Sequence, residues 1–417
     1  MNFGFTEEQS LLRDQVERFI KEACPMPKVR EIAASESRFD STLWQQVADL
    51  GWLGLTIPEA HGGLGLKWID LTVVLEAAAE GLCPLPIASQ ALASAAVLTC
   101  GNDKQKSEWL PAMASGSAIC TIGLYDEANW IDPKAITAQA HASKDGYVLK
   151  GTKPFVNDAA AADYLLLAVN APNGLALAAV AKDSVKITHQ PTMDTTKPMA
   201  SVDLDGVNIS ADFLLPMSED QLAFLTDCGA VATTAEMVGA GAAILEMTSN
   251  YAKERIQFGK PIGQYQGVKH RLADMYVDLE SYRSLSYYAA WSVDDDIEGL
   301  AKAVSLAKGY ASDAFAQIGI DGVGLHGAIG FTAEYDAQLY LKRSKWARPM
   351  YGDSDYHMDR IATLGAFSLT GSKKCAPKAG LALPGRRSLA AAKAVLSNKL
   401  FCVKKWRWLK HRHWAPQ

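Results

Sequence analysis

Residues 251–282 constrain the fold more than any other stretch, because two helical patterns meet there across a short turn. The first helix is expected to end near Ile256, before a turn that contains Gly259, Pro261 and Gly263. In the second segment, apolar residues recur at spacings of four and three: Val268, Leu272, Met275, Leu279 and Tyr282. This spacing places them on one face of a helix. The stretch therefore predicts a helical hairpin whose second helix packs one face against a core.

The turn between these helices concentrates basic, aromatic and amide side chains: Arg255, Phe258, Lys260, Gln264 and Gln266. A cation, an aromatic ring and amide groups around a tight backbone turn can hold a cofactor that carries both phosphate and an aromatic ring. The same residues also suit an ordinary helical hairpin with solvated charges. Composition alone leaves both interpretations open.

Residues 255–275, RIQFGKPIGQYQGVKHRLADM, resemble the signature region of the acyl-CoA dehydrogenase family. Members of this family are flavoenzymes that oxidise acyl-CoA thioesters between the α and β carbons. The Arg and Phe of their RxxFG motif contact the diphosphate and ring system of FAD, usually across a subunit interface. The resemblance implies FAD as the cofactor and Arg255 and Phe258 as cofactor-binding residues, with Gln266 in the same turn as a further candidate.

The rest of the chain is predicted to be helical, then β, then helical. Helical spacing dominates the first 115 residues or so, and Thr6 with Gln9 predicts a capping box at the first helix. Short segments rich in β-branched and apolar residues follow from about Ile119. Long periodic segments resume after Pro216, enough for a four-helix bundle.

We therefore expect a mainly α fold with a small, barrel-like β domain. This order resembles the acyl-CoA dehydrogenase fold over roughly residues 1–367. The expected parts are an N-terminal helical domain (1–116), a β domain (117–216), a C-terminal four-helix bundle (217–370) and a basic tail (371–417).

A second resemblance lies in the β domain. The segment DGYVLKGTKPFVNDAAAADYLLLA is similar to the family's pair of strands beside the flavin. Phe155, Val156 and Asn157 fall where the family has an aromatic residue, an aliphatic residue and a hydroxyl or amide that contact the isoalloxazine ring. Taken alone, Phe155 on a strand face is more typical of a packed core. The resemblance adds all three residues to the cofactor-binding candidates.

Oxidation of an acyl thioester needs a base for the weakly acidic α proton and an acceptor for the β hydride. No side chain accepts a hydride, so a flavin must supply that function. The base is expected to be a carboxylate whose pKa is adjusted by burial.

The resemblance offers two positions for this base. In many family members it is a Glu before the last helix, and registering this chain on Arg360 places Asp353 there, with Asp355 as the alternative. Asp353 equally suits the N-cap of the helix that follows. In another branch the base lies about 26 residues before the motif Arg, near Gly229, and Glu236 two helical turns later is a poor substitute.

A departure from the family pattern lies in GVGLHGAIGFTAEYDAQLYLKR, which resembles a segment that approaches FAD from a neighbouring subunit. Gly327 and Gly330 are in place, but Ala328 replaces a usual glycine and Gly324 stands where the family has a Gln. Missing bases and missing FAD contacts recur together in the heteromeric subfamily that acts on bulky acyl-CoA substrates such as sterol side chains. Three functions therefore stay open: a complete dehydrogenase, a half-site or non-catalytic subunit, and a flavin oxidase or monooxygenase on the same fold.

The resemblance also implies partners. These are an acyl-CoA substrate, an electron-transfer flavoprotein, and further subunits in a homodimer, a homotetramer or a heterotetramer with a paralogous chain. The net charge of −5 divides unevenly, since residues from Thr370 onward carry twelve Lys and Arg and no acidic residue, and the body carries −17. The body is not expected to bind nucleic acid. Membrane contact is expected only through the tail, for which a disordered or non-native extension is the simpler interpretation.

Seven cysteines are scattered without a CxxC pair, which argues against a disulfide framework or a metal site. The N-terminus lacks the pattern of a secretory signal, and no uninterrupted apolar run approaches the roughly 20 residues of a membrane span. These features predict a cytoplasmic protein.

Overall fold

The computed structural model describes residues 5–126 and 132–365, and within them the fold is mainly helical with a small β domain, as predicted. The basic tail lies outside the described residues. The predicted capping box is present, because the Gln9 N–H donates to the Thr6 hydroxyl at 3.2 Å and the Thr6 N–H donates to the Gln9 side chain at 3.1 Å. The helices before the β domain are α1 (Glu7–Ala23), α2 (Met26–Ala34), α3 (Ser41–Asp49), α4 (Trp68–Glu80), α5 (Ile87–Cys100) and α6 (Asp103–Ala114).

The β domain contains a seven-stranded sheet and a three-stranded sheet. The larger sheet has the order β10-β6-β5-β2-β3-β9, with β1 parallel to β5, and the smaller one has the order β4-β8-β7. The strands are β1 (Cys120–Gly123), β2 (Gln139–Ser143), β3 (Gly146–Lys150), β4 (Thr152–Asn157), β5 (Tyr164–Ala171), β6 (Gly174–Ala181), β7 (Lys186–Gln190), β8 (Met199–Asp203), β9 (Asn208–Ile209) and β10 (Leu214–Pro216).

Strand β5 is buried on both faces. Leu165 and Leu167 belong to the core of the β domain, whereas Leu166 and Ala168 belong to the core shared with the helices. Alternate residues of a strand point to opposite faces. The apolar run of β5, which lacks polar alternation, therefore joins the β domain to the helical parts.

The chain then returns to helices. Helix α7 packs against α4, α8 and α9, and α9 packs against α8, α10 and α11. Met275, Leu279 and Tyr282 of the predicted apolar stripe on α8 are buried, and Val268 and Leu272 are half-buried. The elements are α7 (Glu219–Glu254), β11 (Ile256–Gln257), β12 (Lys260–Pro261), α8 (Gln266–Asp295), α9 (Ile297–His326), α10 (Ala337–Ala347) and α11 (Ser354–Thr363).

Helix α7 is the central helix among the packed helices of this chain. In the part of the chain that the structure describes, it is the one helix long and apolar enough to cross a membrane by length and composition, yet 89% of its most apolar window is buried in the structure. A Cβ on Gly239 would lie 1.9 Å from the Glu76 carbonyl oxygen on α4, so this glycine lets two helix backbones approach closely. Burial on all sides explains the apolar composition of α7.

Candidate active site

A cleft lies between the end of β4 and helix α7. It contains two cavities of about 20 Å³ each, and Asn157 and Tyr351 line both. The helix-side cavity is bounded by α5 and α7, including Gly229. The strand-side cavity is bounded by β1 and Phe155. The cleft therefore brings together Phe155 and Asn157, which sequence analysis assigned to the flavin, and Gly229, which lies near the base position of one branch of the family.

Phe155 lies where the pairing of β4 with β8 is broken. The register shifts between Lys153 and Val156, and Phe155 has a φ of +56°, which is uncommon for a residue other than glycine. The Phe155 N–H donates to the Gln190 side chain at 2.7 Å. Phe155 is 36% exposed and lines the strand-side cavity, whereas Val156 is buried in the core of the β domain. The core interpretation of Phe155 is wrong, and the neighbouring Val156 is the core residue.

Asn157 ends β4 with a side-chain oxygen that is buried and has no hydrogen-bond partner among the described residues. Its backbone carbonyl, by contrast, accepts the Thr121 hydroxyl at 2.7 Å. A buried acceptor without a donor costs about 1–3 kcal/mol. Such an atom beside a cleft fits a ligand that brings its own donor, and a flavin ring carries one.

Two tyrosines cross the cleft toward α7. A Cβ on Gly229 would lie 2.4 Å from the Tyr351 ring, so no larger residue fits at this position without movement of the ring. The Tyr125 hydroxyl contacts the hydroxyl of Thr226, one turn earlier on α7. Sequence reasoning missed both tyrosines, because their positions depend on contacts between distant parts of the chain.

The carboxylates of the helix-side cavity both have partners. Glu236 on α7 pairs with Lys197 at 2.5 Å, and both side chains are at most 9% exposed. Asp158 accepts the Ser89 hydroxyl at 2.6 Å, and burial raises the pKa of this carboxyl group. Asp158 was not predicted, although a polar residue directly after a strand that faces the flavin was a usable signal. Lys197 had no such signal.

Asp353 is the N-cap of α11, because its side chain accepts the Tyr356 N–H at 3.0 Å. The predicted capping role is therefore confirmed. Asp353 is half-buried and Asp355 is exposed, and neither lines the two cavities. A catalytic role for either residue stays a prediction.

The segment before α11 is held by buried side chains from neighbouring helices. The Lys308 ammonium group donates to the carbonyls of Gly352 at 2.7 Å and Arg348 at 3.0 Å. Burial lowers the pKa of Lys308 to about 7. The His357 Nε2 lies 3.0 Å from the Tyr351 carbonyl oxygen. These contacts fix the backbone that carries Tyr351 into the cleft.

The hairpin of β11 and β12 presents the signature residues outward. Arg255 and Gln266 are exposed, and Phe258 is 93% exposed with a φ of +51°. The Tyr265 hydroxyl donates to the Gln257 carbonyl at 2.9 Å, which braces the turn. This set lies on a different element from Phe155 and Asn157, and its role in binding FAD across a subunit interface stays a prediction.

The glycines at the end of α9 differ in their surroundings. Nothing lies within 4 Å of a Cβ built on Gly324 or Gly327, and Gly327 has a φ of +67°. A Cβ on Gly330 would lie 2.6 Å from the Val323 carbonyl, so packing within the chain requires this glycine. The open space at Gly324 and Gly327 fits the close approach of a cofactor.

Comparison with known proteins shows the family of the chain. The sequence model of the acyl-CoA dehydrogenase N-terminal domain matches residues 6–117, and that of the C-terminal domain matches residues 225–364. Acyl-CoA dehydrogenase IpdE2 of Mycolicibacterium smegmatis is 30% identical over 85% of this chain and 98% of its own length.

Solved structures also superpose closely. The ChsE4-ChsE5 complex from Mycobacterium tuberculosis has a TM-score of 0.81 and 28% identity, covering 89% of this chain and all of the matched chain. A variant of the Tcur3481-Tcur3483 steroid ACAD has a TM-score of 0.78 and 29% identity, covering 86% and 98%. The chain belongs to the acyl-CoA dehydrogenase family, whose members depend on FAD.

Proposed function

We propose that this chain is one subunit of a heteromeric acyl-CoA dehydrogenase, in which it provides FAD contacts and a partner chain provides the catalytic base. The observation that carries this proposal is the state of the carboxylates around the cleft. Gly229 carries no base and faces the Tyr351 ring. Glu236 is paired with Lys197, and Asp158 accepts the Ser89 hydroxyl, so both carboxyl groups already have partners within the chain. The described lining of the cleft thus offers no ready proton acceptor.

The proposed reaction removes the α hydrogen of an acyl-CoA thioester as a proton and a β hydrogen as a hydride, which leaves an enoyl-CoA. FAD, when bound, supplies the acceptor for the hydride. Phe155 and Asn157 would lie beside its ring, and the side-chain oxygen of Asn157 would accept a ring N–H. Arg255 would pair with the diphosphate of a FAD shared with a neighbouring subunit, because a guanidinium binds phosphate in a bidentate manner. An electron-transfer flavoprotein would take up the electrons.

The comparisons support a second chain and a bulky acyl group. One similar structure is the ChsE4-ChsE5 complex, and another is described as a steroid ACAD. Both lie above 25% identity to this chain over most of its length. We infer from them a substrate of the same class, an acyl-CoA with a bulky acyl group such as a sterol side chain.

A second candidate is a complete enzyme in which Asp353 is the base. One observation favours it, since Asp353 follows Tyr351, a residue that lines the cleft, by two positions and is only half-buried. Its Oδ1 atom accepts the Tyr356 N–H, and a small movement of the helix start would release it. Family resemblance gives this position the same role.

The test is anaerobic bleaching of the flavin by acyl-CoA, with the chain purified alone and together with a paralogous dehydrogenase chain. We expect bleaching only in the presence of the partner, and unchanged bleaching when this chain carries Asp353→Asn. Stoichiometric FAD and normal bleaching by the chain alone would refute the heteromeric proposal. If Asp353→Asn then abolished the bleaching, the second candidate would stand.

A further inference from the structure

We propose that Tyr125 closes the cleft of this chain to acyl groups, so that the chain binds FAD without accepting an acyl thioester in its own cleft. This inference rests on the proposed function and names the residue that enforces it. An acyl thioester that reacts must lie between Asn157, at the flavin strand, and Gly229, at the helix position assigned to a base. Tyr125 lines the strand-side cavity with Asn157 and reaches Thr226 on α7, and Tyr351 lies against Gly229.

The hydrogen bonding of Tyr125 holds it across the gap. The Thr226 hydroxyl donates to the Leu222 carbonyl at 2.7 Å, so its oxygen is left to accept, and the Tyr125 hydroxyl is the donor. Burial raises the pKa of Tyr125, which keeps the proton on this donor. Tyr125 is 8% exposed, so the ring is packed on its other sides. The side chain thus links the end of β1 to α7 as a fixed bridge.

The Tyr351 ring lies one turn further along α7, against Gly229. Together the two rings leave cavities of only about 20 Å³ each, and Tyr351 and Asn157 line both. Pockets for ligands of moderate size span about 300–1,000 Å³ and are usually continuous and mostly apolar. Neither cavity meets this description for a bulky acyl group, and the helix-side cavity contains the buried pair of Lys197 and Glu236.

The test measures binding of octanoyl-CoA and free CoA to the FAD-loaded full chain by calorimetry. We expect wild type to bind octanoyl-CoA no more tightly than CoA, because the acyl group finds no pocket. Tyr125→Ala opens the gap and should bind octanoyl-CoA at least tenfold more tightly than CoA. Tyr125→Phe keeps the ring and loses only the bond to Thr226, and it should behave as wild type does.

A gain of binding cannot result from unfolding, so Tyr125→Ala tests the proposal whenever it retains FAD. If it fails to retain FAD, Tyr125→Leu, which keeps apolar contact but removes the hydroxyl and the ring, takes its place with the same expected gain. A wild-type chain that already prefers octanoyl-CoA tenfold overturns the inference, as does a folded Tyr125→Ala or Tyr125→Leu without any gain. Since these outcomes concern binding, they are separate from the partner-dependent bleaching that tests the proposed function.

Discussion

Asn157 combines a buried position with a side-chain oxygen that no described protein donor reaches. We expect Asn157→Ala to change the free energy of unfolding of the apoprotein by less than about 1 kcal/mol, since it removes an acceptor that is already unsatisfied. FAD affinity should fall about tenfold, because one hydrogen bond is worth about 1.5 kcal/mol in binding. Flavin fluorescence titration and urea unfolding measure the two quantities.

Asn170 on β5 of the larger sheet provides the matched control, because its amide donates to the Ile136 carbonyl within the chain. Asn170→Ala should lower stability and leave FAD affinity unchanged. If Asn157→Ala instead lowered the free energy of unfolding and left FAD affinity unchanged, Asn157 would have a structural role.

Glu80 gives a prediction on pH dependence. Burial, with a smaller contribution from Glu17, raises the pKa of Glu80 to about 7, above the value of about 4.3 in an unfolded chain. The native state therefore binds an extra proton between these pH values, and the free energy of unfolding falls as pH rises from about 4.5 to 7. Glu80→Gln lacks this titration. Wild type should thus lose stability relative to the variant between pH 5 and pH 8.

The size of this effect is limited by solvent, since the Glu80 side chain is 32% exposed and Arg13 lies 4.0 Å away. A pKa shift of one unit corresponds to about 1.4 kcal/mol when solvent does not screen the group. Because solvent screens Glu80, we expect wild type to lose a total of only about 1 kcal/mol of stability relative to Glu80→Gln. Urea unfolding of both proteins at pH 5 and pH 8 measures it. Parallel pH dependence of the two proteins would contradict the raised pKa.

Residue roles that depend on near neighbours in the sequence were predictable. The capping box of Thr6 with Gln9 and the cap at Asp353 follow from spacings of three residues, and both are present. The partners of Tyr125 and Lys197 lie 101 and 39 residues away along the chain. No local sequence pattern indicates such contacts, so these two residues of the cleft were not found from sequence.

At the scale of elements, the hairpin of β11 and β12 carries an exposed aromatic ring in a strained turn. Phe258 and Gly259 have φ values of +51° and +81°, and such two-residue turns favour Asn followed by Gly. Phe258→Asn should therefore leave the stability of the free chain unchanged or raise it by up to about 1 kcal/mol. It should also reduce FAD retention and subunit association, because the family resemblance assigns this ring to a FAD at a subunit interface.

Ile256 is the control for this variant, because it lies in the same hairpin and is 60% exposed. Ile256→Asn removes a similar apolar surface without touching the RxxFG aromatic position. Gel filtration and the ratio of flavin to protein measure association and retention. Equal effects of both variants would show that exposed apolar area, rather than the Phe258 ring itself, is what matters.

At the scale of the whole molecule, the succession of helical, β and helical parts was predictable because each has its own hydrophobic period. The order of strands in the larger sheet was not, since β1 pairs with β5 and β3 pairs with β9 across long intervening segments. Closure of the cleft also escaped prediction, because it arises where β1, β4, α7 and the segment before α11 meet. These contacts form only once the parts have packed together.

Gly324 tests whether the chain lost a cofactor contact that the family retains. It lies on α9 and is exposed, and a Cβ added to it would have no neighbour within 4 Å, so a longer side chain fits. We expect Gly324→Gln to restore an amide that reaches the FAD of a neighbouring subunit and to raise FAD affinity about tenfold. Both Gly324→Gln and the control Gly324→Ala should stabilise the helix by about 0.5–1 kcal/mol, because glycine is costly within a helix.

The comparison of these two variants separates the effect of the Gln amide on FAD binding from the effect of replacing a helical glycine on stability. The midpoint temperature of thermal unfolding without FAD should rise equally in both variants. Flavin fluorescence titration, by contrast, should show tighter FAD binding only for Gly324→Gln. The gain should also depend on protein concentration, since the amide acts across an interface and needs associated subunits. The two variants should be compared at a protein concentration at which the subunits are associated. If their FAD affinities were equal there, the absence of a Gln at this position would not limit cofactor binding.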